Sequence, residues 1–192
     1  MRVQPISKGL FIWGVAWLNL LSYPLIRKRV NDINTIFISL DQSTKLTGYC
    51  VWKNGEYETS GLLDCQKIDT LFRFDEMVKK IFRIFDDYKP VVVYIEDTAM
   101  QRNAKVLKEL SQLQGAIIGY CVTHEIDIQI IKPSEWRKEL GFEQGRGIKR
   151  PELKQQCFKW VKENLGIEKS EDEVEAIGIG AAVLKKFGKQ VD

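Results

Sequence analysis

Four acidic residues, Asp41, Glu96, Asp172 and Glu175, stand where carboxylates can do chemistry. Asp41 closes the apolar run Thr35–Asp41 (TIFISLD), and Glu96 closes Val91–Glu96 (VVVYIE). Strand ends meet solvent, so either acid alone has an ordinary explanation. Asp172 and Glu175 are three residues apart at the start of a helical stretch, which puts them on one face. Ser170-Glu171-Asp172-Glu173 also fits a capping box, with Ser170 as N-cap and Glu173 at the third helical position, and acids suit a first turn. Those devices account for Glu171 and Glu173. They account less well for Glu175, which leads into Ala176-Ile177-Gly178-Ile179-Gly180-Ala181-Ala182. Two glycines inside a helix cost roughly 1 kcal/mol each relative to alanine. A run of such small residues lets the helix lie close on a sheet, pressing Asp172 and Glu175 toward the strand ends.

Carboxylates gathered in this way repel one another unless cations sit between them. Oxygen donors favour Mg²⁺, with Mn²⁺ as its substitute, over zinc. Two such ions about 4 Å apart clamp the attacking and leaving oxygens of a phosphodiester displacement. The single histidine, His124, excludes a His-rich zinc site and leaves Ser-His-Asp chemistry resting on one residue. It stands where a helix ends, so a surface or capping role is expected. Cys50, Cys65, Cys121 and Cys157 have no CxxC spacing and read as reduced core thiols of a cytosolic protein.

The elements that must position these acids follow in order. Thr35–Asp41, Leu46–Lys53 and Glu56–Leu63 read as strands, the last two joined by an Asn54-Gly55 hairpin turn. Ile68–Tyr88 has helical periodicity, with Leu71, Phe74, Val78, Ile81 and Phe85 on one stripe, and Pro90 stops it. Val91–Glu96 is a strand buried on both faces. Then come a helix from Asn103 to about Val122, a strand at Ile126–Ile131, a short helix from Pro133, and helices at Arg150–Leu165 and Ser170–Lys186. Three strands followed by alternating helix and strand predict an α/β fold: a mixed five-stranded sheet flanked by helices, in the RNase H-like order. The first and fourth strands then lie side by side, so Asp41 and Glu96 converge.

The chain has 192 residues and a formal charge of +3, too small a field to argue for nucleic acid by itself. Five of its 29 basic residues and one of its 26 acidic ones fall in residues 1–33, so the body carries a net charge of −1. DNA contacts must therefore come from local patches. Arg146, Lys149, Arg150 and Lys154 form one in a Gly-rich stretch leading into a helix, with Lys149 and Lys154 the foremost phosphate candidates. A solvated helix start is the plain alternative. Arg102, Lys105 and Lys108 are placed on the same side. Trp136 is expected to pack its short helix rather than stack on a base.

Residues 1–33 form an apolar extension distinct from a domain at 34–192. Gly9–Ile26 is uncharged over eighteen residues and flanked by basic ones, about 27 Å of helix and borderline for a membrane crossing. It reads as a membrane anchor, a helix packed on the body, or translated sequence upstream of the true start. The third is preferred because the domain begins near Thr35 without it. The next methionine is Met77, so a shorter protein needs a non-Met start codon such as that of Val30.

The motifs Ser39-Leu40-Asp41-Gln42-Ser43-Thr44-Lys45-Leu46-Thr47-Gly48-Tyr49, Tyr94-Ile95-Glu96-Asp97-Thr98, Lys132-Pro133-Ser134-Glu135-Trp136-Arg137 and Asp172-Glu173-Val174-Glu175-Ala176 resemble the RuvC family of Holliday-junction resolvases, most closely its phage-type members. The resemblance runs from about Ile36 to Lys186. It implies a homodimer on four-way DNA junctions, cutting with Mg²⁺ or Mn²⁺ to leave religatable nicks, with Asp41, Glu96, Asp172 and Glu175 as metal ligands. It also implies the cytoplasm of a bacterial or phage-infected cell, with membrane association only through residues 9–26. Two departures stand out. Family members usually have aspartate where this chain has Glu175. They also place an aromatic in the loop where this chain has Thr98-Ala99-Met100, so a broader branched-DNA nuclease is an alternative to a strict resolvase.

Three rivals carry different chemistry. Asp41-x-Ser-Thr-x-x-Thr-Gly also resembles the phosphate loop of actin-like ATPases and sugar kinases, which need two such domains. A ribonuclease H or transposase-like nuclease uses the same acids. A non-catalytic branched-DNA-binding module predicts junction binding without Mg²⁺-dependent cleavage.

Overall fold

The computed structural model describes residues 35–98 and 103–188. The extension at 1–33, and with it the choice among anchor, packed helix and upstream translation, lies outside them, as do Ala99, Met100 and Arg102. Among the described residues no helix is long and apolar enough to cross a membrane.

The elements are β1 (Ile36–Asp41), β2 (Leu46–Lys53), β3 (Glu56–Asp64), α1 (Thr70–Tyr88), β4 (Val92–Glu96), α2 (Ala104–Thr123), β5 (Asp127–Ile131), α3 (Pro133–Leu140), α4 (Arg150–Leu165) and α5 (Glu171–Gly188). Their sheet runs β3-β2-β1-β4-β5. β2 is antiparallel to β1 and β3, while β4 pairs parallel with β1 and β5. The expected hairpin is present: Asn54 and Gly55 both take positive φ, 56° and 79°, as a tight two-residue turn requires.

Strand alternation sends successive side chains to opposite faces, so the sheet separates two apolar layers. Ile38, Leu40, Val93 and Ile95 pack with Met77, Ile81 and Phe85 of α1 and Leu113 and Ile117 of α2. Phe37, Trp52 and Tyr94 pack on the other side with Trp136, Val174, Ile177 and Val183. The expected α1 stripe is displaced at its start. Met77, Ile81 and Phe85 are its buried line, and Leu71 is 82% exposed because the first turn lies outside that packed face. All four cysteines are free and buried. His124 is the C-cap of α2, its Nδ1 2.9 Å from the Tyr120 carbonyl oxygen and its ring stacked on Tyr120, in the capping role expected.

The helix most important for the acids is α5, and its glycines are spacers. A Cβ at Gly180 would lie 2.0 Å from Trp52 Nε1, and one at Gly178 would lie 2.9 Å from Cys157 Sγ. Gly48 on β2 admits the helix start in the same way: a Cβ there would lie 1.9 Å from the Asp172 carbonyl oxygen. A buried hydrogen-bond chain fixes the approach. Trp52 Nε1 donates to Ser39 Oγ at 3.2 Å, and Ser39 Oγ donates to the Ala176 carbonyl at 2.7 Å.

Candidate active site

Leu40 pairs with Ile95 in the parallel β1–β4 ladder, so the next residues, Asp41 and Glu96, leave the sheet side by side. The packing of α5 on Gly48 then brings its first turn to this edge. Asp41, Glu96, Asp172 and Glu175 line one cavity of ≈ 520 Å³, together with Gln42, Asp97, Arg137 and Arg150. The convergence read from strand order and the helix face is thus present in the structure.

The acids feel one another. Burial, reinforced by Glu175, Glu96 and Asp172, pushes the Asp41 carboxyl well above its ordinary range. Burial and then Glu175 raise Asp172. Glu96 is also raised, burial outweighing the stabilising contacts from Trp136 and Arg137. Glu173 behaves differently: burial pulls it upward, but bonds from Ser170 and the charge of Lys169 bring it below its usual value. Its carboxylate accepts from Ser170 N at 3.3 Å and from Ser170 Oγ at 2.7 Å. Glu173 thus reaches back to the helix start as a capping box requires, while the serine hydroxyl bonds the carboxylate.

Two side chains to which the sequence assigned no such role organise the site. Trp136 Nε1 donates to Glu96 Oε1 at 2.8 Å, and the indole is almost fully buried. That excludes base stacking and gives the packing role a polar end. Arg137 stands between two of the acids, its Nη2 3.3 Å from Glu175 Oε1 and 3.6 Å from Glu96 Oε1. Its guanidinium lies over the Trp136 ring, 4.8 Å from the centroid. The signal for both was the Trp-Arg pair just inside a Pro-started helix: α3 presents adjacent residues to the same carboxylate edge.

The basic candidates divide. Arg150 lines the acidic cavity. Lys154 lies beside it and pairs with Glu171 in the first turn of α5. Lys149 is the N-cap of α4, and it and Arg146 are exposed outside the cavity lining. Arg150, rather than the expected Lys149, therefore lines the acidic cavity; the helix begins at Arg150 as expected, with Lys149 as its N-cap. Lys105 and Lys108 are exposed on α2, whose Val106 and Leu110 line the cavity.

The donor set fits a hard divalent cation: oxygen-only ligands, an acid held above its normal range by burial and then by its acidic neighbours, and no histidine among the cavity-lining residues. Among the described residues, no group of three or more potential ligands already stands in metal-binding geometry. Arg137 stands with its positive charge between Glu96 and Glu175.

A family model described as crossover junction endodeoxyribonuclease RuvC matches residues 37–182. Proteins of that name from Hydrogenovibrio crunogenus and Vibrio vulnificus are 24% and 29% identical over 107 and 98 residues. These matches cover 54% and 49% of this chain but only 62% and 57% of those relatives. The Dictyoglomus turgidum protein of the same name is 27% identical over 161 residues, covering 79% of this chain and 97% of the relative. Among solved structures, T. thermophilus RuvC in complex with a Holliday junction substrate superposes with a TM-score of 0.65 at 10% identity. It covers 81% of this chain and 97% of that one, a likeness that establishes the shared RNase H-like fold.

Proposed function

The chain belongs to the RuvC family, and from that premise we propose that it is an endonuclease that hydrolyses phosphodiester bonds at the branch point of Holliday junctions or other branched DNA. The catalytic residues are Asp41, Glu96, Asp172 and Glu175. The observation that carries this reading is that two strand ends and one helix face, separate in sequence, bring these four acids into one cavity. Nothing in the fold needs four acids there, and burial together with the other three holds Asp41 above its ordinary range.

The same four residues would hold Mg²⁺, with Mn²⁺ as substitute. When bound, such ions polarise water and stabilise the attacking and leaving oxygens of an in-line displacement. The chain's own side chains do the rest. Trp136 holds Glu96 through one carboxylate oxygen. Gln42 Nε2 donates to the Glu96 carbonyl at 2.6 Å, tying the end of β4 to the loop after β1. Arg150, inside the cavity, offers its guanidinium to the phosphate being cut, where bidentate contact fixes orientation. Arg146, Lys149 and Lys154 extend that contact along the DNA backbone, each neutralised phosphate adding counterion-release free energy. A homodimer, placing two such sites on a four-way junction, completes the reading.

The test is cleavage of end-labelled four-way junction, flap, linear duplex and RNA–DNA hybrid, with and without Mg²⁺. Paired nicks near the branch point are expected only with the metal. Hybrid cleavage without junction cleavage would move the chain to ribonuclease H chemistry.

A further inference from the structure

A second cavity opens beside the acidic one, and its lining is of a different kind. It measures ≈ 510 Å³ and is formed by Arg150, Pro151, Lys154, Gln155, Phe158 and Glu171. Arg150 lines both cavities, so its side chain borders each of them. Arg150, Lys154 and Phe158 are spaced i, i+4, i+8 on α4 and share one face. This is not the packing face of the helix, which buries Cys157 and Val161. Phe158 is 39% exposed.

We propose that this groove binds an unpaired stretch of the strand that passes through the acidic cavity, with one base stacked on Phe158 and the backbone leading to it held by Arg150 and Lys154. The inference rests on the nuclease reading above and adds a subsite to it. Two cations and an aromatic face in one groove match the two parts of a nucleotide, an anionic backbone and an apolar base. A paired base keeps its faces covered by its neighbours in the stack, so an exposed ring selects a base that has left the duplex. Eight helical residues separate Arg150 from Phe158, about 12 Å at the rise of an α-helix. A strand that kept duplex spacing, about 3.4 Å per nucleotide, would cover this in three to four nucleotides, and an unpaired, extended one covers it in fewer, so the base reached lies within four nucleotides of the phosphate at Arg150. Glu171 is the one acid in the groove, and its carboxylate pairs with Lys154. The Lys154 side chain is 17% exposed and that of Glu171 46%, so a DNA phosphate reaching Lys154 replaces Glu171, the more exposed partner.

The experiment measures binding by the full chain in Ca²⁺, using fluorescein-labelled junction with a short unpaired arm, a set of the same DNAs abasic at each of the first four unpaired nucleotides in turn, and linear duplex. Phe158→Ala is expected to weaken binding to the unpaired arm by about 5- to 100-fold, while Phe158→Trp retains it. Neither should alter duplex binding. Abasic substitution at one of these positions should reproduce the loss in the wild type and add nothing in Phe158→Ala. Lys154→Ala should reduce the salt slope by about one, and Phe158→Ala should leave it unchanged. Equal loss on duplex and unpaired DNA, or no loss, overturns the proposal. So does a fall in sedimentation-measured self-association in Phe158→Ala, which would assign the groove to a second copy of the chain. Junction cleavage by the wild type is scored separately. Its absence defeats the nuclease reading, whereas its presence with an indifferent Phe158 defeats only this subsite.

Discussion

Replacing Arg137 by methionine isolates the device that holds the acids together without metal. The guanidinium lies 3.3 Å from Glu175 and 3.6 Å from Glu96, and its side chain is 16% exposed. Each contact is worth about 5 kcal/mol of gross attraction at an effective dielectric constant near 20, much of it offset by desolvation. Breaking a buried ion pair by deleting one partner costs about 3–5 kcal/mol. Proton uptake by one freed carboxylate recovers part of this, so Arg137→Met is predicted to destabilise the metal-free protein by about 3 kcal/mol at neutral pH. At roughly 2–4 °C per kcal/mol for a domain of this size, Tm falls by about 6–12 °C. The sign reverses for metal binding. A divalent cation entering the wild type must displace Arg137 from one or both acids, and in the variant it need not. Calorimetric titration with Mg²⁺ or Ca²⁺ should therefore show tighter binding to Arg137→Met and a larger metal-induced rise in Tm. An unchanged Tm together with equal or weaker metal affinity would refute the argument.

Three further predictions concern the same edge. Gly48→Ala places a methyl 1.9 Å from the Asp172 carbonyl oxygen; α5 must move off the sheet, and metal affinity and cleavage should fall at least tenfold while circular dichroism stays near native. Asp41, Glu96 and Asp172 all lie above their ordinary range in the folded protein. As pH falls through their folded-state values the native state takes up protons before the unfolded state does, so metal-free stability should rise as pH falls toward the ordinary carboxylate range, and metal affinity should fall. Asp41→Asn should flatten both trends in thermal melts and titrations. Trp136→Phe removes the donor that lowers Glu96; Glu96 then rises further, and the acid limb of the cleavage pH profile should move to higher pH.

The strand order and the carboxylate edge were legible because they depend on strong local signals. Continuous apolar runs ended in acids, Asn54-Gly55 fixed a hairpin, and the Gly-rich stretch after Glu175 announced a helix packed without side-chain bulk. Gly180 bears this out against Trp52 and Ser39 of the sheet, whereas Gly178 makes room for Cys157 of α4 and Trp136 of α3. Gly48 was within the quoted motif, but its partner is the backbone of Asp172, far away in sequence and visible only once α5 is placed. Arg137 was hidden for a similar reason: its charge looks like any helix-surface arginine until Glu96 and Glu175 arrive from other elements. The α1 stripe failed at Leu71 because helical periodicity continues past the end of the surface the helix covers.

Catalysis by the four-acid cavity is tested most directly with Asp41→Asn, which keeps size and removes charge. Binding and cleavage of a four-way junction should be measured in the same Mg²⁺-containing sample. The account predicts junction affinity equal to or above that of the wild type, with paired nicking reduced by several orders of magnitude. Retained nicking in Asp41→Asn, or in Glu96→Gln, would contradict it.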